Sequence, residues 1–317
     1  MSLSNLSEHG SADVTTTVRE SRPVTVKKGW RAKLDTIVVL FKLRVVFLLL
    51  VAATAGSFLA SEGWPGIDIL LLTWLTGGMA AAGASALNQY WERKSDASMV
   101  RTSGRPLVTG EIANPRWVPV IGLLLILVPS LAVYSFNPPL TFWLLAGAFI
   151  YVVIYTIWLK PRTLLNVVIG GIAGSAAVLS GSAAAGMWNA PGALVLALIL
   201  FLWSPFHFWS LALLYRNDYA RADFPMLPAR TSPRGAAAWI MVHTIPTGIA
   251  GLALGALPFL GWSYLIPVVL ITADLFWRSI KLLQDPSPRN ARKVFISSNI
   301  YLLVLLLAIC IGSVLPF

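Results

Sequence analysis

Nine apolar runs, nearly free of charge and joined by polar connections, leave this chain very few ways to fold. They cover about 36–60, 67–91, 117–135, 139–158, 164–186, 191–214, 236–256, 261–280 and 294–315. Each is long enough to cross a hydrocarbon core of about 30 Å at about 1.5 Å per residue. Backbone amides in lipid must be satisfied within the spanning structure, so only helices or closed barrels span, and runs of this length mean helices. Only 12% of the 317 residues are charged, about half the usual share of a soluble chain. The expectation is an all-α, polytopic membrane protein with nine transmembrane helices.

The cations set its direction. Lys and Arg fall in the N-terminal region, at the foot of the first run, and in the connections 2–3, 4–5, 6–7 and 8–9, which places all 24 on one side of a nine-helix arrangement. Loops rich in Lys and Arg stay in the cytoplasm. The N-terminus is therefore expected inside and the C-terminus outside. This asymmetry also accounts for the net charge of +11 without a nucleic-acid partner. Residues 1–34 read as a polar, largely disordered cytoplasmic tail that ends in basic residues (Arg22, Lys27, Lys28, Arg31, Lys33), and 35–317 as the membrane domain. The tail has no apolar stretch of a secretory signal, and its acids Glu8, Asp13 and Glu20 argue against a mitochondrial leader, which points to a bacterial inner membrane. One cysteine, Cys310, lies in the last run and reads as a packing residue.

The second run ends in Asn88, Glu92 and Asp96, spaced i, i+4, i+8. On a helix these stack on one face. Two carboxylates and an amide oxygen form a hard-oxygen set of the kind Mg²⁺ takes. Arg101 and Arg105 follow at the same spacing, and guanidinium forks suit phosphate oxygens. The alternative is a solvated helix end laced with ion pairs.

A second long inner connection, about 215–235, carries Tyr215, Arg216, Asp218 and Asp223. His207 lies two turns before the end of the sixth run; an imidazole there either bonds between helices or serves a ligand. His243 reads more simply as a packed core histidine. Lys42 and Arg44 near the start of the first run either snorkel to the inner interface or hold phosphate. Lys160 and Arg162 end the fourth run, where cations suit a helix C-terminus. Gly77, Gly78, Gly83, Gly170, Gly171 and Gly174 read as close helix contacts, and Met99 and Met226 as apolar loop anchors.

Asn88-x-x-x-Glu92-x-x-x-Asp96 followed by Arg101 and Arg105 resembles the signature of the UbiA superfamily of intramembrane prenyltransferases, with Glu in the middle place. Further pieces are similar to the branch that farnesylates haem: Asp96-x-x-Met99-x-Arg101-Thr102-x-x-Arg105-Pro106-Leu107, then Tyr155-Thr-x-x-Leu159-Lys160-x-Arg162-Thr163-x-x-Asn166 with Gly170-Gly171, His207-Phe208-Trp209, and Asp218-Tyr219 with Pro225-Met226-Leu227-Pro228. They run in family order over about 35–315. The departures are Lys42-Leu43-Arg44 without the usual proline, Ala176-Ala177 in place of a proline pair, Asp223 at a usual glycine, and Tyr215 and Tyr219 where the superfamily's second motif has aspartates.

The resemblance implies a central cavity open to the cytoplasmic side. It also implies transfer of farnesyl from farnesyl diphosphate to a vinyl group of haem b, giving haem O. Asn88, Glu92, Asp96 and Asp218 would hold Mg²⁺; Arg101, Arg105, Lys160, Arg216 and Lys42 would hold diphosphate. Tyr215, Tyr90 and Trp91 would face the carbocation, and His207 would touch the haem. Membrane lipid is the surrounding, and haem A synthase is a candidate partner. The rival readings are a UbiA-type enzyme acting on a quinone precursor or chlorin, and a membrane transporter.

Overall fold

The computed structural model describes residues 29–221 and 224–317; the tail to residue 28, with Arg22, Lys27 and Lys28, and Asp223 lie outside the described residues. Every long element is helical: α1 (Trp30–Leu40), α2 (Leu43–Ser61), α3 (Ile67–Asp96), α4 (Pro106–Thr109), α5 (Trp117–Tyr134), α6 (Pro138–Phe149), α7 (Asn166–Gly170), α8 (Ile172–Ala184), α9 (Pro191–Leu214), α10 (Arg216–Arg221), α11 (Leu227–Arg230), α12 (Pro233–Leu254), α13 (Gly261–Gln284) and α14 (Pro288–Gly312). A π-helical segment, Ile150–Leu159, continues α6.

Eight helical rods among the described residues are long and apolar enough to cross a membrane. The eighth expected run forms α13, 24 residues long, but its last three turns carry Asp274, Arg278 and Lys281. There Asp274 takes both Arg278 Nε at 2.7 Å and Ser297 Oγ at 2.7 Å. Eight of the nine expected spans thus have both the length and the apolar composition to cross a membrane, while α13 has the length alone.

Helix starts follow local chemistry. Proline opens α6, α9, α12 and α14 at a position whose amide needs no partner. Asn137 accepts from Leu140 N at 3.0 Å and Ser232 from Gly235 N at 3.0 Å, satisfying first-turn donors. The main core lies where α2, α8, α9, α12, α13 and α14 meet, around Ala55, Val178, Leu196, Ile199, Ile240 and Leu305. The expected packing role of Gly83 holds, since a Cβ there would strike the Gly122 carbonyl of α5.

The first expected span is interrupted. Residues 30–34, placed by sequence in the tail, already form the start of α1, and the chain breaks at Phe41-Lys42 before α2. Lys42 stands at φ 49°, ψ 44°, a left-handed conformation uncommon outside glycine. Two tethers hold that break: the Gln89 Nε2 of α3 donates to the carbonyls of both Val39 and Leu40.

Candidate functional site

The last two turns of α3 supply the ladder, and all three rungs are buried: Asn88 at 1%, Glu92 at 6% and Asp96 at 4% exposure. They do not face solvent as a charged helix end would. Arg105 Nη1 sits 2.5 Å from Asp96 Oδ2 and 3.8 Å from Glu92 Oε2, so one nitrogen bridges both carboxylates. Lys160 Nζ pairs with Glu92 Oε1 at 2.5 Å. Lys42, delivered by its strained turn, donates to Asn88 Oδ1, and its ammonium reaches the Tyr151 hydroxyl at 3.0 Å.

The π segment shapes the opposite wall. Its i to i+5 backbone bonding shows in Lys160 N donating to Tyr155 O at 2.8 Å, and the Thr156 hydroxyl donates to Tyr151 O at 2.8 Å within the same turn. Such segments concentrate at functional sites. Thr156 also accepts from Asn88 Nδ2 at 2.9 Å, which fixes the amide so that its oxygen faces Lys42. Tyr151 and Tyr155 stack with centroids 5.9 Å apart. Gly170 makes room for this, since a Cβ there would lie 2.5 Å from the Tyr155 ring. Arg162 turns the other way and caps the π segment through Ile157 O and Trp158 O at 3.0 and 2.8 Å. Of two neighbouring cations, only Lys160 enters the site.

Electrostatics follow from this crowding. Burial pushes the Lys42 ammonium down to about 7, and the Arg105 guanidinium adds to the effect. Burial would lower Lys160 too, but Glu92 and Tyr155 outweigh it and hold that ammonium above its ordinary value. Three basic side chains face two carboxylates, an arrangement with positive charge to spare when Lys42 is protonated.

The oxygen set fits a hard divalent cation: two buried carboxylates and one oriented amide oxygen on one helix face, with cationic groups already drawn to where such an ion would bind. Among the described residues no three acidic, His or Cys side chains group as a metal site, so the amide and the substrate's own oxygens would have to complete the coordination.

Other expected residues lie elsewhere. Arg101 is exposed. Tyr90 packs with Leu40 and Val118 beneath Arg93, and Trp91 is 57% exposed. α10 buries both Asp218 and Tyr219, and Tyr219 is the one turned toward the site: it packs beside Met99 and Met226, the expected loop anchors, close enough to act electrostatically on Lys160 and Tyr155. Tyr215, which follows α9, is exposed. Phe224 covers Lys160 at 5.0 Å. Asp218 pairs with Arg221, and Arg216 donates to Thr231 O at 2.9 Å. His207 is buried, stacked on Trp203 at 4.1 Å, with Nδ1 at 2.8 Å from Ser298 Oγ; it ties α9 to α14 and has the surroundings of an interhelical histidine.

Sequence reasoning missed Gln89, Tyr151, Tyr155, Thr156 and Tyr219 as site residues. The signal for the tyrosines was there: polar tips four residues apart in an apolar run, ending at Lys160. Tyr219 already stood at a place of the superfamily's second motif.

The family model for the UbiA prenyltransferase family matches residues 49–307. The chain is 38% identical over 287 residues to "Protoheme IX farnesyltransferase 2" of Paramagnetospirillum magneticum, covering 90% of this chain and 99% of that protein. It is 40% identical over 255 residues to a protoheme IX farnesyltransferase of Streptomyces avermitilis, covering 79% and 82%. Among solved structures, one of digeranylgeranylglyceryl phosphate synthase superposes with TM-score 0.74 at 18% identity, covering 89% of this chain and 99% of that one. A UbiA homologue from Archaeoglobus fulgidus bound to DMAPP and Mg²⁺ gives TM-score 0.59 at 15% identity, covering 86% and 99%.

Proposed function

The chain belongs to the UbiA prenyltransferase family, and we propose that it is an integral membrane protohaem IX farnesyltransferase, which uses farnesyl diphosphate to convert haem b to haem O. The observation that carries the chemistry is the buried Asn88–Glu92–Asp96 face, closed by Lys42, Lys160 and Arg105.

The reaction breaks the C1–O bond of farnesyl diphosphate, leaving diphosphate and an allylic cation. The vinyl group attacks that cation through its terminal carbon. Water then adds to the carbon next to the ring and loses a proton, giving the hydroxyethylfarnesyl group of haem O. Charge separation is the barrier, so catalysis consists of holding the leaving oxygens. Arg105 and Lys160 stand ready to shift from their carboxylates onto diphosphate, and Lys42 joins them in its protonated form. Asn88, Glu92 and Asp96 would hold Mg²⁺, which when bound neutralises diphosphate charge. The stacked rings of Tyr151 and Tyr155 offer π faces to the allylic cation and help keep water from it, and Tyr219 and Phe224 close the cytoplasmic side. The farnesyl chain lies between apolar helices. Arg101, Tyr90, Trp91 and His207 have no part in this reading, and Arg216 and Tyr215 have none in holding the diphosphate or the allylic cation.

We read the site as facing the cytoplasm from a bacterial inner membrane, with the N-terminus inside and, α13 included among the spans, the C-terminus outside; the clustering of Lys and Arg supports this orientation. The test is incubation of membranes holding the protein with haem b, farnesyl diphosphate and Mg²⁺, then mass analysis of the porphyrin. A farnesyl-plus-water adduct is expected. Product formed only with a quinone precursor or a chlorin as acceptor would move the assignment.

A further inference from the structure

A concavity lies at the foot of α9, against the start of α12 and the α13–α14 turn. It encloses about 440 Å³ and is lined by Tyr215, Arg216, Asp218, Arg221, Pro286 and Pro288 among others. No rung of the α3 ladder lines it. The two sites are separated by α10, which buries Tyr219 toward Lys160 on one face and presents Asp218 and Arg221, i and i+3, on another. A helix is about 10 Å across, comparable with the reach of a porphyrin from its carboxylate edge to its vinyl edge.

The chemistry of the wall suits an organic dicarboxylate with an apolar body. Two guanidiniums, each with five N–H donors, are each anchored by one arm among the described residues: Arg216 Nη2 to Thr231 O and Arg221 Nη2 to Asp218. The free forks have the planar, bidentate geometry that carboxylates take. Prolines and the Tyr215 ring, 38% exposed, supply flat apolar surface. Arg221, with its side chain 63% exposed, stands at the wet mouth, which is where the polar edge of an amphiphile drawn from the bilayer would remain.

We propose that this cavity is the acceptor's carboxylate subsite: Arg216 and Arg221 hold the two propionates of the tetrapyrrole while its vinyl edge reaches past α10 to the farnesyl cation. This rests on the farnesyltransferase reading. The same guanidiniums would also receive the phosphate of an anionic lipid, and the experiment separates the two.

The full-length protein in nanodiscs is assayed with haem b and with haem b dimethyl ester, in zwitterionic lipid and again with added phosphatidylglycerol. Arg216→Gln and Arg221→Gln are each expected to raise KM for haem b about tenfold, the loss of one charge-assisted contact, with KM for farnesyl diphosphate unchanged. The dimethyl ester should be a correspondingly poor acceptor for wild type and indifferent to either substitution. Haem titration followed at the Soret band, without farnesyl diphosphate, should weaken by the same factor. Equal use of ester and acid by wild type overturns the proposal, as does a raised KM for farnesyl diphosphate in the variants. So does an effect of the substitutions confined to phosphatidylglycerol discs, which would assign the cavity to lipid. Absence of haem O from wild type in every condition would instead remove the farnesyltransferase reading itself, and the Soret titration would still report on the cavity.

Discussion

The foot of α3 and the foot of α9 carry the same residue types, carboxylate, arginine and tyrosine, yet use them differently. At α3 the carboxylates are buried and bridged by Arg105 and Lys160 at 2.5 Å. At α9 the pair is local, Arg221 with Asp218 on one short helix, and its arginine lies open to water. Buried pairs are costly to form and are maintained by mutual support; removing one member strands the other. A pair whose arginine lies in water is held more loosely, even with the Asp218 carboxylate buried, and that arginine is free to exchange partners. The first arrangement suits a site where charge must be placed before the reaction begins. The second suits capture of a ligand that brings its own charge.

This contrast can be broken or sharpened by substitution. Asp96→Asn should lower turnover on the order of 10³-fold with the protein still inserted, measured as haem O formed in membranes; near-normal turnover would refute the metal assignment. Lys160→Met leaves Glu92 buried with Arg105 alone at 3.8 Å. It should cost about 3 kcal/mol of stability, read by thermal unfolding in detergent, whereas Arg221→Met, which takes an exposed guanidinium from the buried Asp218 carboxylate, should cost less, about 1 kcal/mol. Gln89→Leu frees the carbonyls of Val39 and Leu40 and loosens the turn that delivers Lys42. About 1–3 kcal/mol is expected, appearing as a raised KM for farnesyl diphosphate.

Lys42 makes a pH test. Its value of about 7 lies below that of an ordinary lysine, and a bound diphosphate would raise it. Below pH 7 it is protonated with or without substrate, so affinity is flat. Above 7 binding must take up a proton, so KM for farnesyl diphosphate should climb, at most about tenfold per pH unit. Lys42→Met should flatten that climb; a KM falling above pH 7 would contradict the assignment. The smallest effect belongs to Arg101→Ala, an exposed position expected to change stability and rate by less than about 0.5 kcal/mol.

Much of this was legible in the chain. The lengths of apolar runs foretold the rods, and the ladder spacing foretold a shared face. What escaped was whatever depends on a break in regularity. Lys42 read either as a snorkelling residue or as a phosphate holder, because nothing in Phe41-Lys42-Leu43 announces the left-handed turn that aims it; Gln89, one residue beyond Asn88, secures that turn from another helix. The arginines 101 and 105 looked equivalent by spacing, but the turns after Asp96 are not a continuing helix, so only Arg105 folds back. Asp218 drew attention by its charge and is indeed buried, but it pairs with Arg221, and register turns Tyr219 toward Lys160.

The π segment between Ile150 and Leu159 has a consequence of its own. A wider turn holds an extra residue, so everything beyond it is rotated by about 100° relative to an unbroken α-helix. Deleting a single residue there would let the rod relax to ordinary pitch and swing the Lys160 ammonium off Glu92, although no side chain of the ladder had been touched. Relatives that keep this chemistry should then tolerate exchanges of one apolar residue for another along the segment, but not a change in its length.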